Sequence, residues 1–533
     1  MRRSKRNMNR IMSSMLMSMV AFTALAQSAN GRPTLVVGIV IDQLRSDYIE
    51  LLQQRFSDSG FNRLISDGAY FENVDFSIYN PDIASSTALI FTGAYPNVNG
   101  IVGSTIYDLQ KRTPVPVLTD SKKIGNFTNE TFSPQAITVS TIADEVRITS
   151  GGLGYVYSIA PDAQQSIIMA GHAGNSATWI NDVTGNWSTT TFYKDYPQFM
   201  SFRNYNSSLA NRLDTASWKP MLPLTQYIDI PMHRSIHPFK YTYRRGDKDR
   251  FRAYKQSALV NEEVTNVALT YLQTLALGVR KQLDMLNISY TLAPYSYGSD
   301  PDFRIELQDS YLRLDAQLSR LFAAIDKAVG RGNALVFVTS TGYFNDFRRD
   351  DEKFNIPSGE FYVARAKSLL NMYLMAIYGN GEWVIGYDNQ QFFLNKELIK
   401  KNDLKIEELR AKSAEFMRKM SGVLSAYSLE DVINNPVTDV ALSINRSIKP
   451  ETAGDIFVDI VPGWVIVEND TNASANGKLI RDNAINTPAF IMAPGVPAQR
   501  IKSVVDASFL SPTVARLLRI RSPNAASHKP WLF

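Results

Sequence analysis

Carboxylates and hydroxyls, rather than thiols, dominate the residues with which this sequence could do chemistry. Asp42 ends the apolar run 35–41, and a carboxylate at the carboxyl end of a buried parallel strand lies where open α/β sheets bind ligands. Aspartate is also a good helix N-cap, and the pattern alone leaves both roles equally open. The sequence contains no cysteine, which excludes a thiolate metal site and a cysteine nucleophile.

Histidine is scarce, and the four residues of this type are His172, His233, His237 and His528. His233 and His237 have the i, i+4 spacing that lets two imidazoles on a helix face one metal. Two prolines flank them, so a solvated or interfacial pair is the better supported interpretation. Oxygen ligands for Mg²⁺ or Ca²⁺ are a further alternative, although loop acids are usually only solvated. The acids in question are Asp82, Asp300, Asp302 and Asp346.

Buried strands that alternate with amphipathic helices must position these side chains. The apolar pattern predicts strands at 35–42, 68–71, 155–160, 166–170, 286–292, 334–340 and 489–492, and a hairpin at 175–192. It predicts helices at 48–54, 61–65, 85–92, 262–277, 309–329, 396–420 and 510–518. This alternation predicts an α/β fold, with a central, mostly parallel sheet, helices on both faces and inserted cap or irregular segments.

The first 26 residues have the features of a signal peptide. Five basic residues among the first ten precede an apolar run, and that run ends in the small-x-small triplet at 24–26. No second long apolar run follows, so we expect no transmembrane segment after cleavage and a periplasmic or secreted protein. The net charge of +5 comes largely from these first residues, so nucleic acid is not an expected partner.

Several short motifs occur in an order that resembles the alkaline phosphatase superfamily. They lie at 40–48, 90–96, 99–103, 170–172, 309–315, 487–490 and 511–514. The chain most resembles bacterial periplasmic alkaline phosphatases of the nucleotide pyrophosphatase/phosphodiesterase-like branch. The resemblance implies one alkaline phosphatase-like domain over 33–523, with insertions around 175–255 and 355–470, and a C-terminal tail at 524–533.

Active members of that superfamily hold two zinc ions with carboxylates and three histidines, and a threonine or serine attacks phosphorus. By this resemblance Asp42 is the only retained metal-ligand position. The other ligand positions that could be matched carry Pro294, Gly298, Thr341 and Gly342, and the nucleophile position carries Ile83. The substrate-binding positions carry Ser104, Asp162 and Gln164. No histidine precedes the Thr487-Pro488 motif within 473–486.

These replacements predict a non-catalytic pseudophosphatase that is a binding or assembly component of the cell envelope. Its partner would be an unknown protein or glycan, no cofactor is expected, and the former metal pocket should be electrostatically quiet. The alternative is a metal-dependent phosphoesterase, acting on monoesters or diesters, with a non-standard site. In that case one of the hydroxyls at Ser85, Ser86 and Thr87 could act as a displaced nucleophile.

Overall fold

A computed structural model of the protein describes residues 32–230, 237–247, 249–292, 303–344, 358–468, 478–480 and 485–533. The predicted signal peptide therefore lies outside the described residues. So do two of the predicted site positions, Pro294 and Gly298. The same holds for four other candidate ligands, which are His233, Asp300, Asp302 and Asp346.

Twenty-three strands are assigned within the described ranges. They are β1 (Leu35–Asp42), β2 (Ala69–Phe71), β3 (Val74–Asp75), β4 (Thr105–Asp108), β5 (Thr113–Pro116), β6 (Gly125–Asn126), β7 (Val156–Ala160), β8 (Ser176–Ile180), β9 (Trp187–Thr190), β10 (Ser217–Trp218), β11 (Tyr241–Thr242), β12 (Asp284–Thr291), β13 (Ala334–Ser340), β14 (Gly359–Tyr362), β15 (Val384–Asp388), β16 (Gln391–Leu394), β17 (Val423–Ser428), β18 (Ile456–Ile460), β19 (Trp464–Val467), β20 (Lys478–Leu479), β21 (Ala489–Met492), β22 (Gln499–Ile501) and β23 (Val505–Asp506).

Seventeen α-helices are assigned in the same part of the chain. They are α1 (Ser46–Leu52), α2 (Phe61–Asp67), α3 (Ile83–Thr92), α4 (Pro96–Asn99), α5 (Ile142–Thr149), α6 (Ala163–Ala170), α7 (Gln198–Asn206), α8 (Leu209–Leu213), α9 (Arg250–Lys255), α10 (Leu259–Thr274), α11 (Arg304–Val329), α12 (Val363–Tyr378), α13 (Lys396–Lys401), α14 (Ile406–Met417), α15 (Leu429–Asn434), α16 (Asp439–Ser447) and α17 (Leu510–Leu518). None of the described helices is long and apolar enough to cross a membrane.

A ten-stranded sheet forms the centre, in the order β22-β2-β21-β13-β1-β12-β7-β8-β9-β6. Strand β1 pairs in parallel with β12 and β13, and β12 pairs in parallel with β7. The antiparallel strand β21 lies between β13 and β2. All eight residues of β1 are buried, as expected for a strand covered by helices on both faces. The predicted α/β fold with a mostly parallel central sheet is confirmed.

A second, smaller sheet lies within the part of the sequence where an insertion at 355–470 was predicted. Its four strands are ordered β15-β16-β18-β17, and their pairings are antiparallel. Its hydrophobic cluster is centred on buried side chains such as Leu370, Trp383 and Phe392. The domain boundaries themselves stay predictions.

One predicted strand is wrong. Residues 166–170 lie in helix α6, which begins after the N-cap Asp162 and ends at Gly171 with φ of +66°. All residues of α6 from Gln165 to Ala170 are buried, and the short apolar run at 167–170 resembles that of a buried strand. A short apolar run does not distinguish the two structures.

Candidate active site

Asp42 lies at the carboxyl edge of the central sheet, where β1 and β13 end side by side. The strands pair in register, with Ile41 opposite Ser340, so Asp42 and Thr341 are neighbours just beyond the last pair. The Thr341 hydroxyl donates to Oδ1 of Asp42 at 2.8 Å. The same hydroxyl oxygen accepts from the backbone N–H of Gln43 at 3.1 Å. The sequence left Asp42 open as an N-cap or a site residue, and the helix after it, α1, has Arg45 as its N-cap.

Hydrogen-bond donors surround the Asp42 carboxylate. Besides Thr341, the hydroxyl of Tyr343 hydrogen-bonds to Asp42, and Gln43 Nε2 lies 3.5 Å from Oδ2. Burial nevertheless raises the pKa of Asp42 to about 6, because these hydrogen bonds offset only part of the desolvation. Gln43 has φ of +61°, and non-glycine residues in this strained region cluster at functional sites.

Asp82 caps the first turn of helix α3. Its Oδ1 accepts hydrogen bonds from Ala84 N at 3.1 Å, Ser85 N at 2.9 Å and Ser85 Oγ at 2.8 Å. Its Oδ2 accepts from Ser104 N at 2.5 Å. The helix N-terminus that would favour a bound anion therefore already has a carboxylate of the chain itself.

The predicted nucleophile position, Ile83, is the first residue of α3 and packs partly buried against a hydrophobic cluster. The displaced hydroxyls also face the interior of the fold. Ser85, Ser86 and Thr87 are each at most 1% exposed. Ser85 Oγ is bonded to Asp82, and Thr87 Oγ1 donates to the carbonyl of Ile83. The structure therefore presents none of these hydroxyls to solvent.

The three predicted substrate-binding positions lie together beside Asp82. Gln164 Nε2 donates to the carbonyl of Ser104 at 2.9 Å, and Asp162 Oδ1 accepts from Gln164 N at 2.8 Å. Negative charge from Asp162 is one of the causes that raise the pKa of Asp42, after burial. Burial, then Asp42, and then Asp82 and Asp162 raise the pKa of Tyr343 well above its usual value. The expectation of an electrostatically quiet pocket is wrong, because three carboxylates remain within electrostatic reach of one phenol.

The described histidines make their contacts elsewhere. His172 Nδ1 lies 3.4 Å from Asp144 Oδ2, which raises the pKa of His172. His528 Nδ1 lies 2.5 Å from the hydroxyl of Ser508, and His237 is exposed. Within the described ranges, no group of three or more His, Asp and Glu residues is arranged to hold a metal ion.

The side chains present at this edge do not fit a pair of zinc ions held by histidines. At Gly342, φ is +76°, and a Cβ would lie 2.1 Å from the Phe76 ring, so no side chain can occupy this position as the fold stands. Thr341 supplies a neutral hydroxyl that already donates to Asp42. Zinc sites without thiolates need imidazole and carboxylate ligands, and among these positions only Asp42 supplies one.

Most of the chain matches known proteins. The family model described as type I phosphodiesterase / nucleotide pyrophosphatase matches residues 36–487, and the chain belongs to this family. It is 27% identical over 524 residues to alkaline phosphatase PhoV of Synechococcus elongatus, covering 93% of this chain and 92% of PhoV. It is 26% identical over 530 residues to a protein named calcium-transporting ATPase of Myroides odoratus, covering 95% of each chain.

A third relative has a solved structure. Alkaline phosphatase PafA of Elizabethkingia meningoseptica is 25% identical over 536 residues, covering 95% of each chain. The crystal structure of wild-type PafA superposes with a TM-score of 0.81 at 24% identity, covering 94% of this chain and 99% of that chain. This likeness confirms the alkaline phosphatase-like fold. The loss of catalytic residues is not shown and stays a prediction.

The expectation of a non-catalytic pseudophosphatase is wrong. It is overturned by the similarity, over nearly the whole chain, to proteins named alkaline phosphatases and by membership of a phosphodiesterase family. The prediction was wrong because it looked for catalytic residues only at the positions that match the motifs of the superfamily. A missing set of histidines argues against one kind of zinc pair, whereas the fold still brings carboxylates and hydroxyls together around Asp42. The chain is thereby similar to a family of metal-dependent alkaline phosphatases.

Sequence reasoning missed several residues at this edge. Tyr343 follows β13 by only three positions, and a tyrosine directly after a buried strand was a signal that could have been used. Asp388 and Asp459 come from the second sheet, and burial raises the pKa of both. Their placement depends on packing between distant segments, for which the sequence offers no local signal.

Proposed function

We propose that this protein hydrolyses phosphate esters at the carboxyl edge of the central sheet, with Asp42 as the central acidic group. Family membership over residues 36–487 carries the proposal. The site supports it because a buried carboxylate whose pKa is raised to about 6 is suited to proton transfer near neutral pH. In this role Asp42 accepts a proton from the attacking water, and the leaving oxygen takes a proton from solvent.

Negative charge at the site opposes the binding of a phosphate ester. The carboxylates Asp42, Asp82 and Asp162 would repel a phosphate ester, and the matched substrate-binding positions Ser104 and Gln164 are neutral. The relatives' metal dependence makes divalent cations the natural condition to vary. The described residues do not fit a zinc pair, so the proposed proton transfer uses Asp42 alone.

The test is a paired assay of the chain from residue 27 onward. Hydrolysis of p-nitrophenyl phosphate and bis-p-nitrophenyl phosphate is measured with EDTA and with Mg²⁺, Ca²⁺, Mn²⁺ or Zn²⁺ in turn. We expect turnover of at least one ester, and a loss of about 100-fold or more in Asp42→Asn. Asp439→Asn, at an exposed acid on α16, is the matched control and should keep the activity.

Two outcomes would overturn the proposal. No turnover of either ester under any cation condition would exclude this activity for the simplest monoester and diester substrates. Turnover that is the same in Asp42→Asn would place the reaction at some other site. Activity towards only one ester would decide between a phosphomonoesterase and a phosphodiesterase, which the family description and the relatives' names leave open.

We further propose that the protein is exported to the periplasm or secreted. The basic and apolar segment at 1–26 supports this location. Fractionation of cells that express the full chain or a version without residues 1–26 tests it, and retention of both in the cytosol would exclude it. An envelope protein or glycan partner stays a prediction.

A further inference from the structure

A cleft of about 600 Å³ opens beside the candidate active site. One wall is the segment 73–81 that follows β2, and a second wall is Gly342, Tyr343 and Phe344, which follow β13. Gln390, in the turn between β15 and β16, and Asp459, in β18, contribute a third wall. Because the Tyr343 hydroxyl hydrogen-bonds to Asp42, a molecule in this cleft would lie next to the proposed reaction site.

Four aromatic side chains line the cleft. Phe76, Tyr79, Tyr343 and Phe344 all contribute to its surface. The Arg45 guanidinium, which does not line the cleft, already lies 5.6 Å from the centroid of the Phe344 ring. Aromatic faces attract cations through the ring quadrupole, and they do so most strongly where water is excluded.

The ionisable carboxylates that line the cleft are those of Asp75 and Asp459. The Asp75 carboxylate accepts from Ser77 N at 3.1 Å and from Ser77 Oγ at 2.6 Å, neither of which neutralises its charge. Asp459 accepts from Ser425 Oγ at 3.3 Å. Among the described residues that line the cleft there is no lysine, arginine or histidine, and no described cation pairs with Asp459.

The wall that carries Asp459 is held in place by a small hydrogen-bond network. The carbonyl of Val458 accepts from the Tyr79 hydroxyl at 2.6 Å and from Gln390 Nε2 at 3.1 Å. The Gln390 carbonyl accepts in turn from Val458 N at 3.1 Å. The bond from Tyr79 joins the segment after β2 to the second sheet. It fixes the position of the Tyr79 ring relative to the strand that carries Asp459.

We propose that this cleft binds an organic ammonium group between its aromatic rings and Asp459. Aromatic walls combined with unneutralised carboxylates match that chemistry, whereas a phosphate or a carboxylate ligand would be repelled. The consequence for substrate class rests on the proposed phosphoesterase function. In that case the preferred substrates are phosphate esters of alcohols that carry an ammonium group, with the ester oxygen towards Asp42 and the ammonium group in the cleft.

The test is equilibrium binding of choline, without any phosphate, to the chain from residue 27 onward, measured by calorimetry at mildly alkaline pH. The comparison ligand is 3,3-dimethylbutan-1-ol, the neutral isostere of choline. Asp459→Asn removes the charge, and Phe344→Leu removes one ring from the cleft. Asp403→Asn, at an exposed acid between helices α13 and α14, is the matched control. Circular dichroism and the thermal midpoint of each variant verify folding.

We expect choline to bind about tenfold more tightly than its isostere, and Asp459→Asn to remove most of that preference while Asp403→Asn keeps it. Phe344→Leu should weaken choline binding without weakening the isostere equally. Equal affinity for the two ligands, no binding of choline, or an unchanged preference in Asp459→Asn would overturn the inference. Because binding needs no turnover, choline binding without ester hydrolysis would reject the proposed function alone.

Discussion

The hydroxyl of Thr341 donates to Oδ1 of Asp42 at 2.8 Å, across 299 positions of sequence. It joins the carboxyl ends of two parallel strands at the edge where α/β sheets bind ligands. With Tyr343, this hydroxyl partly offsets the cost of burying the Asp42 carboxylate. The resemblance assigned a metal ligand to position 341, and here the position instead supplies a hydrogen bond.

Replacing Thr341 with valine should destabilise the protein. Thr341 is fully buried, and the change would leave the Gln43 N–H and one Asp42 oxygen without their partner. We expect the free energy of unfolding to fall by about 1–3 kcal/mol in urea denaturation. The pKa of Asp42 should rise further, because the lost hydrogen bond lowers it. Thr341→Ser keeps the hydroxyl and is the control; equal losses in both variants would contradict this account.

Removing the Asp82 carboxylate should destabilise helix α3. Its two oxygens accept four hydrogen bonds, three of them from the first turn and one from Ser104 N. Asp82→Ala should lower the free energy of unfolding by about 1–2 kcal/mol, as for other lost N-caps. Asp82→Ser, which restores a capping oxygen, should recover much of that loss. Equal stability of Asp82→Ala and the wild type would show that the cap contributes nothing.

Asp388 should make the stability of the protein depend on pH. Burial raises its pKa from 3.8 to about 6, against the lowering effect of the Thr105 hydroxyl. Because the folded pKa is above the unfolded one, the neutral acid favours folding below about pH 4. That contribution is lost as pH rises to about 6. Relative to Asp388→Asn, the free energy of unfolding of the wild type should therefore fall by about 1 kcal/mol between pH 4 and 6. This figure is smaller than the full pKa shift implies, because the side chain is partly exposed and solvent screens its charge.

Urea denaturation of the wild type and Asp388→Asn at intervals between pH 4 and 8 measures that difference. Asp439→Asn is the control, because Asp439 is exposed and its difference from wild type should not change over the window. A wild type that gains stability relative to Asp388→Asn as the pH rises would give the opposite sign and refute the prediction.

Zinc should not be retained stoichiometrically at the Asp42 site. Among the matched ligand positions that the structure describes, only Asp42 is an acid and none is a histidine, and Gly342 cannot carry a side chain beside Phe76. The chain from residue 27 onward, incubated with excess zinc and desalted, should hold well below one zinc ion per chain by elemental analysis. EDTA should leave its thermal midpoint unchanged, because removing an ion that is not bound has no effect on stability. Two bound ions per chain would show that ligands outside the described residues complete the site.

The local sequence pattern was enough to predict most strands of the central sheet and the α/β class of the fold. The run at 35–42, the apolar strand at 334–340 and the amphipathic helix that includes 309–329 were all predicted, because burial on one or two faces leaves a periodic trace in the sequence. The segment 166–170 was wrongly predicted as a strand, because all of its residues are buried in α6 and five residues are too few to show a helical period. The motif order was also sufficient to indicate the fold.

The tertiary structure alone decided the surroundings of Asp42 and of the cleft. Thr341 and Tyr343 reach Asp42 because β13 pairs with β1, and Asp459 reaches the aromatic wall because β18 belongs to a separate sheet packed beside it. Such contacts join residues hundreds of positions apart and leave no local pattern. A residue-by-residue comparison with relatives therefore indicates which ligands are missing, whereas only the folded chain shows which groups stand in their place.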